Sequence, residues 1–290
     1  MINFQGKRAL VTGSNGLVGR VVISALTRNK IKYIGISKSL PYNENCYSVD
    51  ITRMHELQEF IKRQKKFDYI IHCAAIANPR TRDKRTKISK YNSIIVRNLF
   101  ESLSQNQPHW IFMSSIMVYG EDINNEPKKI ELSPKPIDDY GEGKLFDEKY
   151  LLENCPSFDI FRLPPLYNSE FMDNIKKRVF FPLTEMKIKI FPSPKYTFCH
   201  TSNLGKEIIK TLEMPTPAKR IHHICDEQPI TQSSLISKFN GPAIKIPKVL
   251  LKIILFVIPK LKIFRKIRLN IKKIASNNLY AREKIDLING

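Results

Sequence analysis

A short apolar strand, a glycine turn and a helix follow one another at the start of the chain, and this order strongly constrains the fold. Residues 7–12 predict a buried strand, Thr12–Gly19 contains three glycines, and the spacing of Val18, Val22 and Leu26 predicts a helix directly behind them. Glycines let a backbone approach a pyrophosphate closely, and a helix N-terminus offers N–H groups and a positive dipole end. The order therefore predicts an α/β sheet that binds a dinucleotide at its first turn.

The second predicted strand, residues 33–36, ends at Ser37 and Lys38 rather than at an acidic residue. An acid there would bind the ribose 2′-OH of NAD, whereas a hydroxyl and a cation suit the 2′-phosphate of NADP. The sequence therefore favours NADP(H), with NAD as the alternative. A third predicted strand ends at Asp50, and Ile51 opens the next predicted helix. Asp50 is placed either to meet the adenine or to support the start of that helix.

The next apolar strand, residues 67–75, closes on small side chains that leave room for a cofactor over its carboxyl end. These small residues are Cys73, Ala74 and Ala75. His72 lies in the same strand without a partner at metal or triad spacing, so we interpret it as a packed residue. A long helix is predicted over residues 82–106, and its basic run at 80–90 is interpreted as a solvated face.

The Ser115 hydroxyl and the Tyr140 phenol lie at sequence positions that suit catalysis. Ser115 closes the strand at residues 110–115, and Tyr140 and Lys144 are four apart on one face of a later helix. An ammonium close to a phenol favours the ionised form and lowers its pKa from about 10, so that the phenol can transfer protons near neutral pH. Because chemistry in such sheets lies outside the carboxyl ends of the strands, Ser115 and Tyr140 can converge on one substrate oxygen.

Further stretches match a known family in order over the first 200 residues. The sequence resembles the extended short-chain dehydrogenases/reductases, in the branch of nucleotide-sugar epimerases, dehydratases and reductases. The matching stretches are 12–19, 49–52, 72–75, Asn92, 114–120, Tyr140 with Lys144, 162–167 and 198–200. The resemblance implies an α/β fold with a Rossmann-type doubly wound parallel sheet and a smaller mixed C-terminal substrate lobe.

The same resemblance implies two domains. Residues 1–166 would form the NAD(P)-binding Rossmann domain, and residues 198–222 would return to it. Residues 167–197 and 223–290 would form the substrate-binding lobe, which selects the nucleotide sugar in this family. Nothing in the lobe sequence names the sugar.

The resemblance also implies the site residues. Ser115, Tyr140 and Lys144 would be the catalytic set, in which Lys144 lowers the pKa of Tyr140 and holds the nicotinamide ribose. The residues implied to bind the cofactor are Gly13, Asn15, Gly16, Leu17, Val18, Gly19, Ser37, Lys38, Asp50, Ile51, Cys73, Ala74, Ala75, Tyr140, Lys144 and Pro164. Dehydratases of the family usually carry an acidic residue just after the catalytic hydroxyl. Residues 116–117 are Ile and Met here, so dehydration is disfavoured.

The function predicted in this way is NADPH-dependent reduction of a 4-keto nucleotide sugar for surface polysaccharide synthesis. One alternative is a nucleotide-sugar 4-epimerase that retains NAD. Another is a non-catalytic dinucleotide-sensing protein with a basic face for nucleic acid or membrane.

A net charge of +21 predicts attraction to anionic partners. Residues 245–273 contain ten Lys and Arg and no acidic residue, and they include the apolar run 249–259. Two interpretations stay open for this segment. One is a lobe helix packed through its apolar side, with its basic residues solvated or facing a diphosphate, and the other is peripheral contact with an anionic membrane. A nucleotide-sugar substrate is the expected partner, and no nucleic acid is expected.

The remaining features of the sequence bear on the cellular compartment of the protein. Five scattered cysteines without a CxxC pair suggest neither a disulfide framework nor a metal site, and they favour a reducing compartment. Residues 1–7 lack the apolar core of a signal peptide, and no apolar run approaches the roughly 18 residues of a membrane span. We expect a cytoplasmic protein, with a peripheral position at the inner face of the membrane as a variant. The oligomeric state is open, and a homodimer is compatible with the sequence.

Overall fold

The computed structural model describes residues 6–76, 88–103, 107–120, 126–181, 184–258 and 265–287. The strands are β1 Arg8–Thr12, β2 Lys32–Ser37, β3 Cys46–Ser48, β4 Tyr69–His72, β5 His109–Ser115, β6 Phe158–Leu163, β7 Leu166–Tyr167, β8 Lys187–Phe191, β9 Lys195–Tyr196, β10 Cys199–His200, β11 Lys219–His223, β12 Ile230–Thr231, β13 Ala243–Pro247 and β14 Lys284–Asp286. The helices are α1 Leu17–Arg28, α2 Met54–Lys62, α3 Ile88–Leu103, α4 Asp139–Asn154, α5 Asp173–Val179, α6 Thr201–Glu213, α7 Gln232–Ile236, α8 Lys248–Val257 and α9 Arg265–Ala275. A 3-10 turn, Ile116–Tyr119, directly follows β5.

Eight strands form one central sheet in the order β14-β11-β6-β5-β4-β1-β2-β3. All neighbours in it are parallel except β14, which runs antiparallel to β11. The chain moves outward from β1 to β3 and then crosses back to β4 on the other side of β1. This reversal opens a crevice between the carboxyl ends of β1 and β4, where ligands bind in such sheets. The predicted α/β class with a doubly wound parallel sheet is confirmed.

Apolar side chains of the sheet point alternately into two layers. Leu10 of β1 lies in a buried cluster with side chains of α2, α3 and α4. Its neighbour Val11 lies in a second cluster with side chains of α1 and α6 on the opposite face. Because successive strand residues face opposite sides, β1 needs apolar residues throughout, as its sequence has.

The smaller lobe is built from short strand pairs, namely β7 with β10, β8 with β13 and β9 with β12. Helices α5 and α7 share one small apolar cluster, and α8 and α9 share another with β8. No helix in the described part of the chain is long and apolar enough to cross a membrane. All five cysteines are free thiols.

Two sequence-based boundaries differ from the structure, and a third lies partly outside the described residues. Ile51 does not open a helix: Asp50 accepts hydrogen bonds from the backbone N–H and the hydroxyl of Thr52, and this turn delays the start of α2 to Met54. The C-terminal strand β14 joins the central sheet, although residues 223–290 were assigned to the lobe. Helix α3 is described from Ile88, and the rest of the predicted 82–106 helix, with most of the 80–90 basic run, lies outside the described residues.

Candidate active site

The glycine turn is pressed against the end of β4. Gly13 has a φ of +65°, and a Cβ added there would lie 2.7 Å from the backbone nitrogen of Ala74. Gly16 is the N-cap of α1 and brings no side chain to the first N–H groups of that helix. These N–H groups and the positive dipole end suit an anionic ligand, so the turn fits the diphosphate of a dinucleotide.

Thr12 connects the glycine turn to β4. Its hydroxyl accepts a hydrogen bond from the Ala74 N–H at 3.2 Å and contacts Nδ1 of His72 at 2.9 Å. Burial lowers the pKa of His72 to about 3, and its ring stacks on Phe112. His72 is therefore a neutral packed residue, as predicted, while Cys73 beyond it lines the cavity described below.

The predicted adenosine end carries paired charges. The Lys38 ammonium lies 2.9 Å from Asp50, and the same carboxylate oxygen is 3.9 Å from Arg53. Ser37 is buried and its hydroxyl contacts Ser39. Lys38 and Asp50, predicted as separate contacts to the cofactor, thus form one ion pair at the ends of neighbouring strands.

Asn15 is tied to the loop after β2. Its amide nitrogen donates to the Ser39 hydroxyl at 2.8 Å and to the Leu40 carbonyl oxygen. Its amide oxygen is buried and has no hydrogen-bond partner within the described parts of the chain. Asn15 therefore ties the glycine turn to the loop after β2.

The three predicted catalytic residues line one cavity of about 550 Å³. Ser115 ends β5, and its Oγ accepts a hydrogen bond from the Met117 N–H at 3.2 Å. Tyr140 lies in the first turn of α4, where the N-cap Asp138 accepts from Gly141 N–H. The structure thus brings a strand end and a helix start to the same space, as the predicted convergence requires.

Glycine-turn and strand-end residues share this cavity. Those that line it are Gly16, Leu17, Val18, Gly19, Cys73, Ala75 and Pro164. Among the other residues predicted to bind the cofactor, Gly13 belongs to the turn itself, and Ala74 packs against it at the end of β4. Ser37, Lys38, Asp50 and Ile51 lie outside this cavity, at the ends of β2 and β3. A larger groove of about 1150 Å³ between α1 and α6 contains none of the three predicted catalytic residues, so we assign the site to the smaller cavity.

The electrostatics of Tyr140 differ from the prediction. Burial, with a contribution from Asp138 and Asp147, raises the pKa of Tyr140 to about 12. Lys144 donates instead to the Met113 carbonyl oxygen at 2.8 Å and lies over the Phe112 ring. Burial also lowers the pKa of Lys144. The predicted lowering of the Tyr140 pKa by Lys144 is therefore wrong for this structure, because burial of the phenol and its acidic neighbours set the direction of the shift.

Sequence reasoning missed a buried network behind the site. Glu148 forms a 2.7 Å ion pair with Arg162 and accepts from the Ser114 hydroxyl. Arg162 donates to the Tyr119 phenol oxygen at 2.6 Å, and that phenol contacts His223. Glu148 follows Lys144 by four residues, so both lie on the same face of α4, and this spacing was the signal in the sequence that Glu148 also faces the sheet. The network anchors α4 to β5, β6 and β11.

The lobe supplies a basic wall, and sequence reasoning missed the part of it that α5 contributes. Lys177 and Arg178 of α5 and Lys273 of α9 line the same cavity as Ser115. The local Lys-Lys-Arg run at 176–178 was the available hint for the α5 part. Within the described residues, no group of three or more His, Cys, Asp or Glu side chains could hold a metal ion.

Known proteins resemble this chain in sequence and in structure. Methionine adenosyltransferase 2 subunit beta of Xenopus tropicalis is 30% identical over 170 residues, which are 57% of this chain and 49% of that protein. The chain thus spans about half the length of the curated relatives it matches. UDP-glucose 4-epimerase of Thermotoga maritima, solved with UDP-glucose, superposes with a TM-score of 0.66 at 19% identity, covering 83% of this chain and 85% of that one. A hypothetical dTDP-4-dehydrorhamnose reductase of Sulfolobus tokodaii gives 0.64 at 24% identity, covering 82% and 85%.

At these identities the solved structures show a shared fold. The model of the NAD dependent epimerase/dehydratase family matches residues 9–213, well over half of the chain, from β1 through α6. This range contains the glycine turn and all three predicted catalytic residues. The description of the family confirms the predicted nicotinamide dinucleotide cofactor at the level of NAD(P). The chain belongs to the NAD dependent epimerase/dehydratase family, as its resemblance predicted.

Proposed function

We propose that the protein is an NAD(P)-dependent oxidoreductase of a nucleotide sugar, and most concretely that it reduces a 4-keto nucleotide sugar with NADPH for surface polysaccharide synthesis. One observation carries the proposal. Ser115, Tyr140 and Lys144 line a single cavity together with the glycine turn and Pro164. This arrangement places a hydroxyl, a phenol and an ammonium beside the turn that fits a diphosphate.

Bound NADPH would supply the hydride for this reduction. Tyr140 keeps its proton at neutral pH because burial raises its pKa to about 12. The alkoxide oxygen produced by reduction is more basic than a phenol, so Tyr140 can give its proton to that oxygen. The Tyr140 phenol is therefore the proposed proton donor.

Ser115 and Lys144 would prepare the site for this proton transfer. The Ser115 oxygen accepts from Met117 N–H, which leaves the hydroxyl proton to donate to the substrate oxygen and stabilise its developing charge. Lys144 directs one N–H donor to Met113, and an ammonium has three. Its other donors suit the nicotinamide ribose.

The basic wall supports a nucleotide sugar as substrate. Lys177, Arg178 and Lys273 face the same cavity and would pair with the two phosphates of such a molecule. One of the two solved structures is named an epimerase and the other a reductase. Similarity of fold therefore does not choose between these two reactions.

Absorbance at 340 nm tests the reductase against the 4-epimerase. A reductase consumes NADPH in step with a 4-keto nucleotide sugar. An epimerase that retains NAD interconverts two sugars without net consumption, and that result would contradict the reductase.

A non-catalytic dinucleotide-sensing role is the second alternative. It is supported by the name of the relative that matches this chain, a subunit of methionine adenosyltransferase 2. If Tyr140→Phe left cellular function intact while charge reversal in residues 260–273 abolished it, this alternative would replace the enzyme. A cytoplasmic location, a homodimer and membrane contact through residues 245–273 stay predictions.

A further inference from the structure

Helix α8 is apolar on both of its faces, and one face is packed on the lobe. Leu251 is buried and Ile254 half-buried in the apolar cluster formed with β8 and α9. At the C-terminal end of α8, Arg268 of α9 donates from its guanidinium to the carbonyl oxygens of Leu255 and Ile258. These contacts fix the helix and determine which face points outward.

The outward face of α8 carries a stripe of exposed apolar side chains. Phe256 is 91% exposed, and the others lie between 46% and 70%. The stripe consists of Val249, Leu250, Ile253, Phe256 and Val257. Their spacing of i, i+1, i+4, i+7 and i+8 places them on one side of a helix. A contiguous stripe of this kind marks an interaction surface, whereas single exposed apolar residues are common.

The sequence that flanks the stripe is basic. Residues 245–273 contain ten Lys and Arg and no acidic residue. Lys248 is the first residue of α8, and the exposed Lys245 precedes it in β13. Two copies of this surface would bring like charges together, which disfavours self-association. Nucleic acid would use the cations but not the apolar stripe.

We propose that α8 docks the protein on an anionic lipid surface, with Phe256 inserted at the interface and the flanking lysines on the headgroups. The helix has ten residues, about half of what a bilayer span needs, so it lies in the plane of the interface. The inner face of α8 then packs on the lobe and its outer face contacts the membrane, so each sequence interpretation of this segment applies to one face. The proposal does not depend on the proposed reaction.

Co-sedimentation of the full chain with lipid vesicles tests the proposal. We expect binding to vesicles of phosphatidylcholine mixed with phosphatidylglycerol, none to phosphatidylcholine alone, and loss of binding as salt is raised. Phe256→Ser should lower the partition coefficient for anionic vesicles about tenfold, because the aromatic side chain that inserts into the lipid is lost. The pair Lys245→Glu and Lys248→Glu should lower it by at least about tenfold.

Matched variants on the first domain control for general effects. Leu40→Ser removes a similarly exposed apolar side chain, and Lys65→Glu with Lys66→Glu makes the same charge change at exposed positions. Both should bind anionic vesicles with at least half of the wild-type partition coefficient. Phe256→Trp adds a direct probe, because Trp110 is the only native tryptophan and is buried. Its emission should shift to the blue with anionic vesicles alone.

Three results would overturn the proposal. One is the absence of binding to anionic vesicles at low salt, and another is an unshifted emission of Phe256→Trp. The third is a concentration-dependent dimer in solution that Phe256→Ser disrupts without vesicle binding by the wild type. That result would assign the stripe to a second copy of the chain.

Discussion

The Lys144 ammonium donates a hydrogen bond to the backbone carbonyl oxygen of Met113 over 2.8 Å. Met113 lies in β5 two residues before Ser115, so this bond ties the helix of Tyr140 to the strand that ends at Ser115. Lys144 is buried, and burial lowers its pKa. One backbone carbonyl therefore positions the cation of the proposed site.

Replacement of this lysine should separate activity from stability. Lys144→Met should lower kcat for NADPH-dependent reduction about a hundredfold or more, since a cofactor and proton-transfer contact is lost. The melting temperature should stay equal or rise, because a buried charge is replaced by an apolar side chain. Lys149→Met, at an exposed position of the same helix, is the control. Equal activity of the two variants would exclude the proposed role.

The buried pair behind the site should dominate the stability of α4. Glu148→Gln breaks the 2.7 Å ion pair with Arg162 and should cost about 3–5 kcal/mol of unfolding free energy. Glu153→Gln, exposed on the same helix, should cost less than about 0.5 kcal/mol. Urea denaturation measures both, and a loss below about 1 kcal/mol for Glu148→Gln would show that the pair is dispensable.

Asp147 gives stability a pH dependence with a defined sign. Burial raises its pKa to about 6, whereas the unfolded chain titrates near 4. Between these values the folded state holds the extra proton, so this group lowers stability as pH rises from about 4 to 6. Asp147→Asn should be more stable than wild type at pH 8 by about 2 kcal/mol, and this gain should vanish near pH 4.

Denaturant unfolding of both proteins across this pH range measures the difference. Asp139→Asn, at the start of the same helix, controls for loss of a carboxylate. A gain for Asp147→Asn that does not depend on pH would contradict the raised pKa.

Lys38 should decide between the two cofactors. Its ammonium at the end of β2 pairs with Asp50, close to Arg53, and would face a 2′-phosphate. Lys38→Ala should weaken NADPH binding about tenfold and change NADH binding little. Calorimetric titration with each nucleotide provides the test, with the exposed Lys62→Ala as control. A wild type that binds NADH as tightly as NADPH would end the NADP assignment.

Local patterns predicted the elements that surround the cofactor. The period of apolar residues located β1, α1 and β5, and the glycines of the first turn marked the crevice. The start of α2 was misplaced because the Asp50 side chain competes with the helix for the Thr52 N–H. The ion pair between Lys38 and Asp50 joins two strands, so neither position alone indicates it.

The rest of the site depends on contacts between distant segments. Lys177 and Lys273 reach one cavity from α5 and α9, and no local pattern places them together. The pKa of Tyr140 follows from how deeply α4 packs, whereas residue spacing shows only that Lys144 is on the same face. Strand β14 has three residues, too short for a periodic signal, and joins the sheet by pairing with β11.

The most direct measurement compares wild type with Tyr140→Phe during NADPH oxidation by a 4-keto nucleotide sugar, alongside the Kd for NADPH. The wild type should oxidise NADPH in proportion to the sugar. Removal of the phenol hydroxyl should lower kcat about a thousandfold and leave the Kd nearly unchanged, because the proton donor is lost and the glycine turn is intact. A Tyr140→Phe variant that turns over at the wild-type rate would contradict the proposed role of this phenol.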